Sequence, residues 1–354
     1  MPHILITVTA RASWARVCTV VEALRWREAK EECRLTMVWA GSACLPRYGD
    51  VSQPGDVRVW SVIEGANLET SSTETGLLTM RLSAEFARLR PDVVLTIADR
   101  HETMATAIAS SYQNIRLAHL LGGENSGNID DRVRDSISMM ADLHFPPTAA
   151  AAVRLEDMGV RGPVRAYGCP SIDLAKRASA HPYLGEAPII VLQHAVTTEP
   201  DEAHAQLLAT VWAVKSLGTK IPVVWLWPNE DAGTDDANRA IRSWANTSPA
   251  HVTFRRHIPA PEFLALLASA RCIVGNSSVG VRESCYLGTP AVNIGTRQTG
   301  RETASNVIHA PHDPMAIAAS IRAQLDHGRY PSSLLYGNGT AGERIAHDLV
   351  EVCR

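Results

Sequence analysis

The sequence predicts an α/β protein with two Rossmann-like domains, each built on a parallel sheet that helices cover on both faces. The chain has 354 residues, which is too long for one ordinary core and suits two domains. Short apolar runs alternate with segments of helical periodicity, and such alternation requires crossover connections between parallel strands. The alternation starts again at Ile189, so we expect the second half to repeat the plan of the first.

In the first half, the β-rich runs predict strands that helices separate. The predicted strands are Ile4–Val8, Leu35–Trp39, Val57–Ile63, Val93–Ala98, Arg116–Leu120, Leu143–Phe145 and Val164–Tyr167. The predicted helices are Thr75–Leu89, Glu102–Tyr112, Arg132–Met140 and Ala149–Met158.

In the second half, the same pattern predicts a further set of elements. The predicted strands are Ile189–Leu192, Val223–Trp227, Val252–Arg255, Cys272–Gly275 and Ala291–Ile294. The predicted helices are Glu202–Leu217, Thr234–Trp244, Phe263–Ala270, Arg282–Leu287 and Gly342–Arg354. Pro182, Gly185 and Pro188 mark the boundary, so we assign 1–172 and 173–340 to the two domains, facing a central cleft, and 341–354 to a final helix.

Composition excludes several classes of protein. Apolar residues make up 45% and charged residues 20%, as in soluble globular proteins, and the net charge of −3 argues against a general nucleic-acid-binding protein. No apolar run approaches the roughly 20 residues that span a bilayer, and no signal peptide is apparent, so we expect no membrane association. Seven scattered cysteines without a C-x-x-C pair indicate reduced thiols and a cytoplasmic protein.

The loops after the predicted strands of the first domain are candidate sites, because ligands of open α/β sheets bind beyond the carboxyl ends of strands. Arg11 follows the first strand and is either a solvated surface residue or a guanidinium for a phosphate. Asp99 follows Val93–Ala98 and either caps the next helix or faces the cleft.

The loop HLLGGENSGNIDD, residues 119–131, follows the next strand and is rich in glycine and acidic residues. Gly122 and Gly123 would let the backbone approach a ligand closely. Asp130 and Asp131 precede a helix that carries Arg132 and Arg134; a plain helix cap is the alternative interpretation.

Three loops of the second domain carry polar residues that suit an anionic ligand. His194 ends a strand and is a candidate for binding or proton transfer. The run GNSSVGVRE, residues 275–283, indicates an anion site at a helix start, with Ser277 and Ser278 as donors; a serine cap is the alternative. Arg297 and Arg301 follow the next strand and suit a pyrophosphate.

The stretches HLLGGENSGNIDD, HAVTTE, PNEDAG, GNSSVGVRE and NIGTRQTGR, in this order, resemble the UDP-N-acetylglucosamine 2-epimerase family, most closely its hydrolysing, sialic-acid-type branch. The resemblance runs from about residue 4 to 310. It implies a GT-B-like fold, a homodimer or homotetramer, a UDP-linked nucleotide-sugar substrate, and no metal or other cofactor.

The resemblance also implies a reaction and its residues. In the family, UDP leaves C1 while a base removes the C2 proton, and water then adds with inverted C2 configuration. Catalytic roles are carried over to Asp99, Asp130, Arg134, His194 and Glu124. Contacts to the diphosphate or ribose are carried over to Arg11, Ser277, Ser278 and Glu283, and we add Arg297 and Arg301.

Leu121 departs from the family pattern, because the family has a catalytic glutamate at this position. Ala98 and Ala195 replace a glycine and a proline of the pattern. Three alternatives follow: another carboxylate takes over the role, the enzyme cleaves a nucleotide- or nucleoside-linked sugar without C2 inversion, for instance in natural-product biosynthesis, or the protein binds a nucleotide sugar without catalysis.

Overall fold

Two parallel six-stranded sheets organise the residues that the computed structural model describes, which are 1–44, 56–60, 68–127, 129–181, 183–196, 198–228, 234–247 and 250–354. For residues 11, 12, 68, 129 and 200 only the backbone is described. The chain divides into a first unit (Met1–Asn125, Asp130–Asp173 and Gly337–Arg354) and a second unit (Ser126–Ile129 and Leu174–Tyr336).

The sheet of the first unit forms from apolar runs that are buried on both faces, as parallel strands require. Its strands are β1 (His3–Val8), β2 (Arg34–Ala40), β3 (Val57–Val59), β4 (Val93–Ile97), β5 (Arg116–Leu120) and β6 (Leu143–Phe145). The helices along this part of the chain are α1 (Arg11–Ala15), α2 (Cys18–Glu28), α3 (Leu68–Leu89), α4 (His101–Ser111), α5 (Ile129–Met140), α6 (Ala149–Asp157) and α7 (Pro170–Ser179).

The second unit repeats this construction. Its strands are β7 (Ile189–Leu192), β8 (Val223–Leu226), β9 (Val252–Arg255), β10 (Cys272–Gly275), β11 (Ala291–Ile294) and β12 (Val307–Ala310). Its helices are α8 (Ala203–Lys215), α9 (Thr234–Ala245), α10 (Ala260–Ser269), α11 (Glu283–Leu287) and α12 (Pro314–His327), and the last helix of the chain, α13 (Ala341–Glu351), belongs to the first unit.

Both sheets have the strand order of the doubly wound Rossmann fold. The first runs β3-β2-β1-β4-β5-β6, and the second, β12-β11-β10-β7-β8-β9, is the same order read from the other edge. The strand order therefore reverses between β1 and β4 in the first sheet and between β7 and β10 in the second. Ligands of such sheets bind at the carboxyl ends of the strands at these two points.

Each unit has its own apolar core. In the first unit Leu5, Phe86 and Ile137 are among the buried residues that pack together. In the second, Trp225 lies edge-on to Trp244, with ring centroids 5.4 Å apart. These cores hold the sheets rigid, so that the loops at the strand ends have fixed starting points.

The predicted α/β class with two parallel sheets is confirmed, and the predicted strand Val164–Tyr167 is wrong. Val164 makes only an isolated bridge to His144, because the segment is largely exposed and has no apolar face to bury. Residues 61–63 of a predicted strand, Thr197, residues 229–233 of the PNEDAG stretch and the side chain of Arg11 lie outside the described part. Among described residues, no helix combines the length and apolarity that a membrane span requires.

Candidate functional site

Two neighbouring strands of the first sheet end in the same unusual conformation. Ala98 follows β4 and Leu121 follows β5, and their φ angles are +64° and +66°. Their backbone N–H groups donate to Leu120 O and Phe145 O, both at 2.9 Å, so each turn is tied to the next strand. Non-glycine residues seldom adopt this conformation, and such strained positions are typical of functional sites.

Arg134 of α5 connects the loops that follow these strand ends. Its fully buried guanidinium forms ion pairs with Asp99 and Asp131 and donates to the carbonyl oxygen of Glu124 at 2.7 Å. Burial lowers the pKa of Arg134, but the charges of Asp99, Glu124 and Asp131 outweigh it and hold the pKa above its ordinary value. The arginine therefore stays charged and draws both loops together.

The structure thus brings together three of the predicted site residues of the first unit, namely Asp99, Glu124 and Arg134. Asp130 is partly exposed in the first turn of α5. Asp131, which the sequence analysis does not select, is the partner of Arg134 on the same helix. The i,i+3 spacing of Asp131 and Arg134 allows this pair, but Asp130 lies i,i+4 from Arg134 and is equally well spaced, so sequence spacing does not distinguish the two aspartates.

His119 supports the turn at Ala98 from beneath. The ring is fully buried, with Nε2 2.9 Å from Ala98 O and Nδ1 3.0 Å from Ser138 Oγ. Burial lowers the pKa of His119 to about 4, so the ring is neutral at physiological pH. Gly122 passes directly over this pair: a Cβ there would lie 2.9 Å from Nδ1 and 2.8 Å from Ser138 Oγ, so a larger residue would displace them.

Glu102, at the start of α4, ties three strand-end loops together. Its buried carboxylate accepts from Arg100 Nε at 2.9 Å, and Ser42 Oγ lies 2.9 Å from Oε1 and 3.0 Å from Thr9 O. Burial raises the pKa of Glu102, but the charges of Arg100 and His101 prevail and lower it. The loops after β1, β2 and β4 consequently share one hydrogen-bonded centre.

Glu74, His101 and Glu102 are the described residues whose donor atoms could hold a metal ion. Each offers a ligand atom within 4.8 Å of the other two. His101 lies between the carboxylates, with Nε2 3.3 Å from Glu74 and Nδ1 3.4 Å from Glu102. Because Arg100 already neutralises Glu102, the geometry is explained without a cation.

In the second unit, Asn276 joins the ends of β7 and β10. Gly275 ends β10 with φ +138°, and a Cβ there would collide with the carbonyl oxygen of Leu192, so only glycine fits. The side chain of Asn276 accepts from His194 N at 2.7 Å and donates to His194 O at 2.9 Å. His194 itself is buried and lies two residues after the end of β7.

The loop after β11 is anchored to the same residue. Arg297 Nη1 and Gln298 Nε2 donate to Asn276 O at 3.1 and 2.9 Å. Arg301 is partly exposed, and its backbone N–H donates to Gln298 O at 3.1 Å. Asn276 and Gln298 are both buried, and the sequence analysis did not select either, because a buried amide resembles an ordinary helix cap or core residue in sequence.

Ser277 and Ser278 follow Asn276 directly, and Ser277 lines a small pocket with Gly275 and Gly280. Ser278 begins a short 3₁₀ turn, and Glu283 begins α11. The Oε2 atom of Glu283 is buried without a hydrogen-bond partner. A buried carboxylate oxygen in this state is unusual and suits the hydroxyl group of a ligand.

Comparison with known proteins gives sequence matches to one family. The family model described as UDP-N-acetylglucosamine 2-epimerase matches residues 27–350. A UDP-N,N'-diacetylbacillosamine 2-epimerase (hydrolyzing) of Legionella pneumophila is 32% identical over 72% of this chain and 69% of its own length. A UDP-N-acetylglucosamine 2-epimerase of Neisseria meningitidis is 27% identical over 98% of this chain and 94% of its own.

The fold also matches solved structures. A UDP-GlcNAc 2-epimerase of Methanocaldococcus jannaschii, solved with UDP-GlcNAc and UDP, superposes with a TM-score of 0.81 over 99% of both chains at 16% identity. At this identity the likeness shows the GT-B-like fold, whereas the family model and the Legionella relative show descent. The chain belongs to the UDP-N-acetylglucosamine 2-epimerase family.

Proposed function

We propose that the protein hydrolyses a UDP-linked 2-acetamido sugar, releasing UDP and inverting the configuration at C2. The observation that carries this proposal is the presence of two chemically different sets of groups in the loops that follow the strands of the two sheets. The first unit has a buried arginine that is paired with Asp99 and Asp131, and beside it on the same helix the partly exposed carboxylate of Asp130, which suits proton transfer. The second has the hydroxyls of Ser277 and Ser278 and the guanidinium of Arg297 in the loops after β10 and β11, and these groups suit a departing diphosphate.

The reaction begins with elimination. A carboxylate takes the C2 proton, the C1–O bond breaks, and its electron pair leaves with UDP, so that a glycal forms. Water then adds across the double bond. Its hydroxyl bonds to C1, and a proton bonds to C2 on the face opposite to the one from which the C2 proton was removed. The C2 proton is weakly acidic, so its base must be held tightly against it.

Residues of the second unit bind the nucleotide in this proposal. Ser277, Ser278, Arg297 and Arg301 contact the diphosphate, and Glu283 accepts hydrogen bonds from the ribose. Arg11 of the first unit is a further phosphate contact. Each charge-assisted contact contributes about 1.5–3 kcal/mol, so several together stabilise the departing UDP substantially.

Asp130 is the proposed base. The carboxylate of Asp99 is paired with Arg134, and such a contact lowers the proton affinity of a carboxylate. Asp130 is partly exposed in the first turn of α5, where a sugar could reach it. Asp99 and Glu124 then orient Arg134, and His194 is the proposed donor to the leaving oxygen.

Leu121 favours a second candidate, which is cleavage of the glycosyl–phosphate bond without change at C2. A leucine cannot transfer a proton, and its side chain is fully buried where the family has a catalytic glutamate. If no other carboxylate replaces that glutamate, water would attack C1 directly and the C2 proton would be retained.

Reaction in deuterated water separates these candidates. The protein is incubated with UDP-N-acetylglucosamine or UDP-N,N'-diacetylbacillosamine, and NMR records free UDP, deuterium at C2 and the C2 configuration. We expect UDP with deuterium at an inverted C2. Release of UDP without deuterium at C2 of the sugar would establish cleavage without epimerisation. If neither substrate releases UDP, the protein binds a nucleotide sugar without catalysis.

The nucleotide site is tested separately by UDP affinity. We expect Ser278→Ala with Glu283→Ala to weaken UDP binding at least tenfold by calorimetry, which corresponds to about 1.4 kcal/mol. Ser243→Ala with Glu262→Ala, on exposed positions of the same unit, is the matched control and should leave the affinity unchanged. Equal affinities for both double variants would assign UDP to another site.

A further inference from the structure

Asn276 continues the second sheet beyond its last pair of residues. The ladder between β7 and β10 ends at the pair Leu192 and Gly275. One step further, the side chain of Asn276 bonds to both the N–H and the C=O of His194, at 2.7 and 2.9 Å. A carboxamide has a donor and an acceptor like a peptide group, so this side chain replaces the next rung of the ladder.

The same residue also holds the loop after β11. Its backbone carbonyl accepts from Arg297 and Gln298, while the chain continues into Ser277 and Ser278. Asn276 is completely buried, so water does not compete for these bonds. One residue therefore fixes the main chain of His194, one nitrogen of Arg297 and the start of the hydroxyl-bearing loop.

We propose that Asn276 is a positioning residue, which sets His194, Arg297 and Ser277 relative to one another so that they meet one diphosphate. The proposal rests on the proposed function, in which these three groups contact the substrate. Asn276 itself need not touch the nucleotide. Its contribution is that the three groups are already in place before UDP arrives, which lowers the entropy lost on binding.

A double-mutant cycle on UDP affinity tests the proposal. We expect Asn276→Ala and Arg297→Ala each to weaken binding about tenfold. Asn276→Ala keeps the carbonyl to which Arg297 bonds but removes the two side-chain bonds to His194 that hold this carbonyl in place, and Arg297→Ala removes the guanidinium itself. If Asn276 acts through Arg297, the double variant will lose at least about threefold less than the product of the single losses. Multiplicative losses would overturn the proposal.

Asn306→Ala is the matched control. Asn306 is an equally buried amide of the same unit, and its Nδ2 donates to Thr289 O at 2.8 Å, but it precedes β12 at the opposite end of the sheet. The Asn306→Ala substitution should lower the melting temperature without changing the affinity for UDP. If Asn306→Ala weakens UDP as much as Asn276→Ala, general loosening explains the effect and the positioning role fails.

A second measurement needs no ligand and separates this proposal from the proposed function. Hydrogen exchange of the His194 amide is followed in protein labelled with ¹⁵N-histidine, and the signal is assigned by its loss in His194→Gln. We expect exchange at least about tenfold faster in Asn276→Ala and unchanged in Asn306→Ala. Unchanged exchange in both would overturn the role of Asn276, whereas absence of UDP binding by the unaltered protein would overturn the proposed function. If Asn276→Ala does not fold, Asn276→Ser retains a smaller uncharged polar group, and the cycle with Arg297→Ala is repeated on it with the same expectation.

Discussion

Leu121 combines two properties that seldom occur together, a left-handed backbone and a fully buried apolar side chain. The left-handed conformation costs an L-residue roughly 1–2 kcal/mol, which a glycine would avoid. The bond from its N–H to Phe145 O and the burial of its side chain offset this cost. Leu121 can therefore fix the loop that carries polar residues, but its side chain cannot transfer a proton.

We expect Leu121→Glu to gain proton exchange at C2 of UDP-N-acetylglucosamine relative to the unaltered protein, whose turnover of this substrate should be slow. A positioned general acid or base contributes about 10²–10⁴-fold, and NMR in deuterated water measures the exchange rate. Leu121→Gln introduces a side chain of the same size as glutamate but without a carboxylate, and it should not raise the rate of C2 exchange. Rapid exchange by the unaltered protein would contradict this prediction and identify another carboxylate, in our proposal Asp130, as a sufficient base.

His119 should make the protein less stable in mild acid. Its pKa is about 4 in the folded protein against an ordinary 6.5, so below pH 6.5 the unfolded chain takes up a proton that the folded one does not. The free energy of unfolding therefore falls as the pH falls from 6.5 to 4, by about 3 kcal/mol at 1.36 kcal/mol per pH unit.

Urea denaturation at intervals between pH 7 and 4 checks this prediction. His119→Gln removes the titrating ring, so its stability should fall less steeply over the same interval. The other buried histidines titrate in both proteins and cancel in the difference. Parallel curves for the two proteins would show that His119 takes up its proton as readily when folded as when unfolded.

Residues at strand ends were predictable to different degrees. The selection of Asp99 and Arg134 as candidates follows from the rule that ligands bind at the carboxyl ends of strands. The structure shows that the two side chains form an ion pair. Asp131 could be distinguished from Asp130 only by the side of the first helical turn that faces Arg134. The role of Asn276 depends on a main-chain partner 82 residues away, and no local pattern records such a contact.

At the scale of elements, the N-terminus of α13 depends on a single carboxylate. Asp173 of α7 accepts from the backbone N–H groups of Ala341 and Gly342 at 3.0 and 2.7 Å, and from the hydroxyl of Thr19 in α2 at 3.0 Å. It satisfies two N–H groups that would otherwise lack partners within the helix. The cap thus joins α2, α7 and α13 through one residue of the first unit.

We expect Asp173→Ala to reduce the free energy of unfolding by about 2–3 kcal/mol, because three buried hydrogen bonds are lost together. Asp313→Ala is the control: Asp313 caps α12 through one exposed bond, to Ala316 N at 2.7 Å, and should cost about 1 kcal/mol. Chemical denaturation measures both. Equal losses would mean that α13 is held by its apolar face rather than by its cap.

Elements were predictable where burial gives the sequence a clear pattern. β4 and β10 are buried throughout and were located from their apolar runs. β12 is only partly buried at the edge of its sheet, so its sequence lacks a clear apolar run. Neither β12 nor the helix α12 was predicted. The predicted strand Val164–Tyr167 does not form because Arg165 and Ala166 are exposed, so the segment makes only an isolated bridge to β6.

At the scale of the whole molecule, the repetition of one strand order in both sheets gives each unit an edge of the kind at which ligands of doubly wound sheets bind. We expect UDP to slow hydrogen exchange in the second unit at the loops after β7, β10 and β11, where the hydroxyl and guanidinium groups lie. Mass spectrometry of peptides from both units measures this. Uridine, which lacks the diphosphate, should protect these loops much less, and equal protection by the two ligands would contradict a diphosphate site there.

The cap on α13 has a consequence for the gene. Because the polypeptide leaves the first unit after residue 173 and returns to it at residue 337, a stop codon between the units would remove the helix that Asp173 holds. A fragment ending at residue 173 would expose the side of α2 on which that helix packs and would be prone to aggregation. To obtain the first unit alone, residues 1–173 and 337–354 must be rejoined by a short linker, or the coding sequence circularly permuted.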